Sequence, residues 1–482
     1  MKLYLFAIGG SGARVVKSFV HLLASGSNIP IGTEIVPIII DTDAKSLETD
    51  KLNKTIYKYG EVQRVLFDNN EDYRNSCSFF NTKILTKQFN FESLNLDSTF
   101  NKFLNEYEGQ PRKLKDDIKN LMDSLYDTSP ENSSDTELNL NLNVGFKGNP
   151  NIGGIIFNML ENNIDFKNLL GSINATDRVF IISSIFGGNG SSGFPALMNL
   201  FKQSELEGLQ NAKKAALTVL PYYDLLTDES KENDTSINAK LFNSKSKSAL
   251  SFYIQDNVLN SLDAHYYVAD NKRGQYKYSA RGENQNNPAT LSEFLGALGI
   301  LHFLNTSQFN PIENKFGFAL DMLGSGAGDN IIHLGHFKKE NKVYSHVLKQ
   351  LISFAFAKKF FDFLCSNENA LNPGFKDSSD FYNRSNESYR SVLNTYYEDW
   401  QNWIDELENT TSGKRGLKFF EFNREIDELI HNANKYKKLK IRDIEGEVTT
   451  SIRASTKQHK PFKYIKAIND YFNVINSPHP SL

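Results

Sequence analysis

The sequence predicts an α/β fold: a parallel sheet with helices on its faces, followed by a mostly helical C-terminal region. Three observations carry this. Apolar runs of strand length (Lys2–Ile8, Glu34–Ile40 and Val179–Ser184) alternate with segments of helical period. Glycine-rich loops, Gly9–Gly12 and Phe186–Gly193, follow two of those runs. Beyond Val343 the apolar spacing is almost wholly helical.

Lys2–Ile8 reads as a buried strand and Gly12–Leu23 as a helix. Glu34–Ile40 reads as a second strand ending at Asp41-Thr-Asp43, which completes a βαβ unit. Residues 60–128, rich in Phe, Leu, Asn and Lys, read as a helical insertion. Ser129–Asn143 is a polar linker that closes the insertion at about 143. Alternation then resumes. Ile152–Leu170 reads as a helix, Val179–Ser184 as a strand, Gly193–Leu206 as a helix and Ala215–Leu220 as a strand. Ile237–Leu259 reads as a long helix, His265–Ala269 as a strand and Pro288–Leu304 as an apolar helix. Phe316–Leu323 and Asn330–Leu334 have strand character. Trp400 and Trp403 fall in one amphipathic helix. The main boundary is placed at 305–306, giving domains 1–305 and 306–482.

Composition narrows the function. The chain has 482 residues, enough for two or three domains. The formal net charge of -3 gives no electrostatic case for general nucleic-acid binding. Cys77 and Cys365 are the two cysteines; they show neither metal-ligand spacing nor a disulfide framework, as expected of a cytoplasmic protein. The N-terminal apolar run enters a glycine turn and does not read as a signal peptide. No stretch reads as a membrane span. His333 and His336 lack a partner at metal-ligand spacing, and the basic run Lys435–Arg442 reads as a solvated face.

The glycine loops sit where an open α/β sheet binds its ligand. Gly10-Ser-Gly12-Ala-Arg-Val15 supplies two of the three positions of a dinucleotide fingerprint. Gly188-Asn-Gly-Ser-Ser-Gly193 supplies the glycines of a Walker loop, but Phe194 stands where the lysine belongs. A third loop, Lys147–Gly153, opens a helix with Pro150 near its first turn. Taken singly, each reads as a tight strand-to-helix turn. Three in one α/β region point to backbone N–H groups cradling phosphate.

In chain order these segments resemble the tubulin/FtsZ superfamily, and within it the divergent bacterial tubulin-like proteins. Ala7-Ile-Gly-Gly-Ser-Gly-Ala-Arg14 resembles the first phosphate loop. Asp41-Thr-Asp-Ala-Lys-Ser-Leu47 resembles the segment after the second strand, and Gly148-Asn-Pro-Asn-Ile-Gly153 the GANPxxG loop. Phe186-Gly-Gly-Asn-Gly-Ser-Ser-Gly-Phe-Pro195 resembles the GGGTG[ST]G signature. The resemblance covers roughly residues 1–305. It implies a Rossmann-type GTPase domain with a parallel sheet and a central helix at Pro288–Leu304. A C-terminal α+β to helical domain then follows.

The resemblance further implies GTP/GDP and Mg²⁺ as ligands. Gly9, Gly10, Ser11 and Gly12 would face the α and β phosphates. Gly187, Gly188, Asn189, Gly190 and Ser191 would wrap the β phosphate, and Gly148 and Asn149 would approach the γ phosphate. Asp41 and Asp43 would lie near the metal. Arg14, Asp224 and Asn271 would lie at the base and ribose, and the position of a base-reading acid falls near Gly299. Asn189 replaces the signature threonine, and restoring threonine is expected to preserve or improve nucleotide binding.

Relatives hydrolyse GTP when the next subunit of a filament inserts an acidic loop. The acids available near that point in the chain are Glu293, Glu313 and Asp321, and none reproduces the loop's spacing. Two functions follow. One is a GTPase that assembles head to tail into filaments of its own copies. The other is a non-hydrolysing, nucleotide-sensing structural subunit of a multiprotein bacterial system, such as antiviral defence, using the C-terminal helical region as a partner surface. A dinucleotide oxidoreductase also fits the fold class but does not need the loops at 148 and 187.

Overall fold

In the computed structural model, β1 (Lys2–Ile8) is an interior strand, third from one edge of a seven-stranded sheet. The described residues are 1–43, 46–85, 99–100, 102–103, 120, 139–146, 149–226, 242–255, 258–270, 273–277, 287–309, 315–317, 331–333, 342–367, 375, 381–382, 388–430, 436, 439–455 and 457–476. β1 pairs on one side with β2 (Glu34–Ile40), which leads to the short β3 (Lys83–Ile84). On its other side it pairs with β4 (Arg178–Ser184). Then come β5 (Lys213–Val219), β7 (Ala264–Val268) and β9 (Lys315–Gly317). Every pairing is parallel, in the order β3-β2-β1-β4-β5-β7-β9. The continuous apolar runs of β1 and β4 are those of strands buried on both faces.

Helix α1 (Gly9–Ala24) begins directly after β1, three residues earlier in the chain than its periodicity first shows. It is buried almost throughout, including Arg14, Lys17, Ser18 and His21. The sheet covers one side. α2 (Leu47–Phe67), α9 (Leu291–Asn305) and α11 (Tyr389–Glu408) cover the others. The predicted helix Ile152–Leu170 is two helices, α4 (Pro150–Asn158) and α5 (Ile164–Gly171), with a 3₁₀ turn between them. α6 (Gly188–Gln203) starts inside the second glycine loop, five residues before the predicted start. The predicted helix Ile237–Leu259 is described as α8 (Phe242–Gln255). A small separate sheet pairs β6 (Tyr223–Leu226) with β8 (Gly274–Lys277), which sequence patterning did not indicate.

The boundary at 305–306 marks the end of α9 but not a break in the core. One continuous cluster of buried apolar residues runs from Leu3 to Phe472. β9 comes from beyond the boundary yet extends the main sheet. α11 packs on α1 and α2: Trp403 Nε1 donates to Ser18 Oγ at 3.1 Å, and Asp399 accepts from Thr55 at 2.6 Å. The last helix, α13 (Lys460–Ile475), packs on α2 and the short helix Glu71–Asn75 beyond it, where Phe462 stacks on Tyr73 at 4.2 Å. Among the described residues, no helix is long and apolar enough to cross a membrane.

Candidate functional site

Strand order reverses direction between β1 and β4, so a crevice opens beyond their carboxyl ends. Both glycine loops lie there. α1 begins at Gly9 and α6 at Gly188, on neighbouring strands. Neither helix has a side-chain N-cap, and neither has an acid in its first turn. Asn163 caps α5, Ser388 caps α11, and Glu293 accepts from the Thr290 N–H at the start of α9, whereas α2 and α4 also lack a side-chain N-cap. The first-turn N–H groups of α1 and α6, lacking side-chain acceptors, make an electropositive corner that suits an anion.

The glycines divide by what they do. Gly9 has φ +67°, the left-handed turn that lets the chain leave β1 and enter α1 at once. Gly12 allows close packing: a Cβ there would stand 2.8 Å from the Ala7 carbonyl carbon. Gly190 is held against the backbone of Ser184, and Gly187 against its hydroxyl. Gly10 has room, its nearest neighbour being Glu48 at 3.8 Å. Gly10 and Ser11 are half-buried at the mouth of the crevice. α4 arrives beside α6, where Gly153 packs on Ser192 and Phe146. Asn149 begins α4 and is half-buried; Gly148 lies outside the described residues. The Ser191 hydroxyl donates back to the Gly187 carbonyl at 2.5 Å.

Asn189 has a defined task. Its Nδ2 donates to Asp41 Oδ1 at 2.7 Å, and its Oδ1 accepts from Thr42 Oγ1 at 2.9 Å. The amide therefore latches the loop after β4 to the loop after β2. Asp41 Oδ1 also accepts from the backbone N–H of Asp43 at 3.1 Å. Burial pushes the Asp41 carboxyl up to about 6 against these hydrogen bonds. Asp41 thus lies beside the electropositive corner with Asp43 two residues on, and its Oδ2 also accepts from Thr49 Oγ1 at 3.4 Å. Among the described residues, no group of three His, Cys, Asp or Glu side chains could hold a metal alone. The pair fits Mg²⁺, which takes one or two carboxylates and completes its shell with water and phosphate oxygens.

Arg14 lies one turn beyond Gly10 and is only 6% exposed. Its guanidinium pairs with Glu293 at 2.6 Å, donates to the Pro288 carbonyl at 2.7 Å and sits 5.9 Å from the Tyr222 ring centroid. Burial alone lowers the Arg14 pKa, but Glu293, Tyr222 and Glu48 together hold it well above its ordinary value. Burial pushes the Glu293 carboxyl up, against the pull of Arg14. This arrangement corrects one expectation. Glu293 is committed to Arg14 and to capping α9, so it is not available as an acid inserted into a neighbouring copy.

The remaining candidates are dispersed. Asp224 on β6 is half-buried and pairs with Arg273 at 3.3 Å. Asn271, Glu313 and Asp321 lie outside the described residues. Next to Asn271, Asp270 pairs with Arg415 at 3.4 Å, so the C-terminal region reaches this edge of the site. Lys414 donates to the Glu406 and Leu407 carbonyls, and burial lowers its ammonium to about 8. Sequence reasoning missed Thr42, Glu48 and Tyr222. Thr42 stands within the Asp41–Leu47 segment and Tyr222 two residues before Asp224, but no periodicity marks which way a loop residue faces. Protein-family models and curated proteins give no match to the chain.

Proposed function

We propose that this chain is a tubulin/FtsZ-like protein that binds GTP with Mg²⁺ and assembles head to tail into filaments. One observation carries the reading. Two helices without side-chain caps begin at the carboxyl ends of adjacent parallel strands, and Asn189 ties the second of them to the carboxylate of Asp41. Such a corner supplies backbone donors and positive helix ends for phosphate, with oxygen ligands for the accompanying cation. Gly9, Gly10, Ser11, Gly187 and Gly188 would hold the phosphates, and Asp41 and Asp43 the metal. GTP carries the negative charge that this corner is built to neutralise. The binding test is direct. Nucleotide extracted from the purified protein is identified by chromatography, and GTP and GDP affinities are measured with and without Mg²⁺. Protein free of nucleotide, with no measurable affinity for either, refutes the proposal.

A second reading is favoured by the position of Glu293. With that acid buried beneath the site, the chain is a nucleotide-sensing structural subunit that does not hydrolyse GTP and docks a partner protein through its C-terminal helices. Hydrolysis completed between copies gives a rate per subunit that climbs with protein concentration, alongside filaments in electron micrographs. A sensing subunit gives bound, intact GTP and no filaments.

A further inference from the structure

Tyr222 lies between β5 and β6, beside the first glycine loop, and is 2% exposed. Its hydroxyl lies 3.3 Å from Ser11 Oγ, the one hydrogen-bond partner it has among the described residues. Burial holds the phenol far above its ordinary pKa, so it keeps its proton. A buried hydroxyl must place that proton on an acceptor or bear the cost of desolvation. Ser11 Oγ is the acceptor available. Ser11 is half-buried at the mouth, and its own O–H then remains available as a donor.

The Tyr222 ring is held firmly. Phe186, the first residue of the second glycine loop, meets it edge-on at 6.0 Å, and Tyr223 does so at 5.1 Å. Arg14 lies over its face, itself fixed by Glu293 and the Pro288 carbonyl. We infer that Tyr222 is a positioning residue: by donating to Ser11 Oγ, it turns the serine hydroxyl into a dedicated donor for a phosphate oxygen of a bound nucleotide. This rests on the nucleotide-binding reading above and assigns a role within it. Specificity for the phosphate chain then depends on a residue that never touches it.

The test is a double-mutant cycle with Tyr222→Phe, Ser11→Ala and the double variant. GTP, GDP and guanosine are the probes, and thermal unfolding reports the fold. Tyr222→Phe keeps the ring and its neighbours. It is expected to weaken GTP and GDP binding about three- to tenfold while leaving guanosine binding unchanged. The double variant is expected to bind no more weakly than Ser11→Ala alone, because Tyr222 acts only through that hydroxyl. Unchanged GTP affinity in Tyr222→Phe, fully additive losses, or an equal loss for guanosine each overturns the inference while leaving nucleotide binding intact. A wild-type chain that binds neither GTP nor GDP overturns the nucleotide reading, and the inference with it.

Discussion

Gly10 and Gly190 occupy sister loops, yet a methyl group would meet very different surroundings in each. At Gly10 it finds only the flexible Glu48 side chain at 3.8 Å. At Gly190 it collides with the Ser184 backbone, whose nitrogen is 2.7 Å away. Backbone cannot swing aside as a side chain does, so α6 must lift off β4. Gly190→Ala is therefore expected to lower stability by about 1–3 kcal/mol, and Gly10→Ala to leave it nearly unchanged, by denaturant titration of both variants. Asn189 shows how far the sequence was legible at this scale. Its departure from the signature threonine is plain in the motif, but its partners, Asp41 and Thr42, lie 148 and 147 positions away. With those contacts known, the expectation for Asn189→Thr reverses. A threonine hydroxyl is shorter than the amide and cannot make both bonds. The variant is expected to weaken Mg²⁺-dependent GTP binding about three- to tenfold, read as a smaller gain in affinity on adding Mg²⁺. An affinity equal to or better than wild type counts against the latch.

At the scale of elements, the pairing of α1 with α11 is the contact least visible in the sequence. The amphipathic spacing of Trp400 and Trp403 marks a buried face but does not say what covers it. The structure answers with His21: its ring stacks on Trp403 at 5.0 Å, and its Nδ1 shares a hydrogen bond with the Tyr396 hydroxyl at 3.2 Å. Burial lowers the His21 pKa from 6.5 to about 3, helped by Lys17 and Lys58 and opposed by Asp399. Between those two values the unfolded chain binds a proton that the folded chain excludes. Stability therefore rises with pH across that window and falls as acid is added. The full difference is on the order of 5 kcal/mol for one wholly buried group. His21→Phe keeps an aromatic ring against Trp403 and removes the titration. It is expected to flatten the loss of stability between pH 6.5 and the acid limit, although it costs about 1–2 kcal/mol at neutral pH by stranding the Tyr396 hydroxyl. Unfolding free energies measured over that pH range decide it; parallel curves for variant and wild type would exclude His21 as the titrating group.

For the molecule as a whole, alternation of strand and helix made the parallel sheet readable, because strands buried on both faces are apolar without a break. β3, β6 and β8 were not readable: two to four residues give too short a window for any period to show. Nor was it readable that residues beyond 305 complete the first domain. The Ser18 and Tyr59 side of α1 and α2 is closed by α11, where Tyr396 packs on Tyr59 at 6.1 Å. β9 caps the sheet beyond β7, and α13 covers the outer end of α2, where His459 lies 3.0 Å from the Val65 carbonyl. A chain ending at 305 exposes those apolar faces and loses the partners of buried Ser18, His21 and Thr55. Exposed patches of that kind drive association, and buried polar groups without partners oppose folding. Residues 1–305 expressed alone are therefore expected to aggregate, or to lose fixed aromatic packing while keeping helical content. Size-exclusion chromatography and near-ultraviolet circular dichroism distinguish these outcomes from folding. A monomeric 1–305 fragment with cooperative unfolding and full GTP affinity would show that α11 is an accessory to the nucleotide fold. Its failure would mean that the corner at Gly9 forms only when the C-terminal helices hold α1 against the sheet.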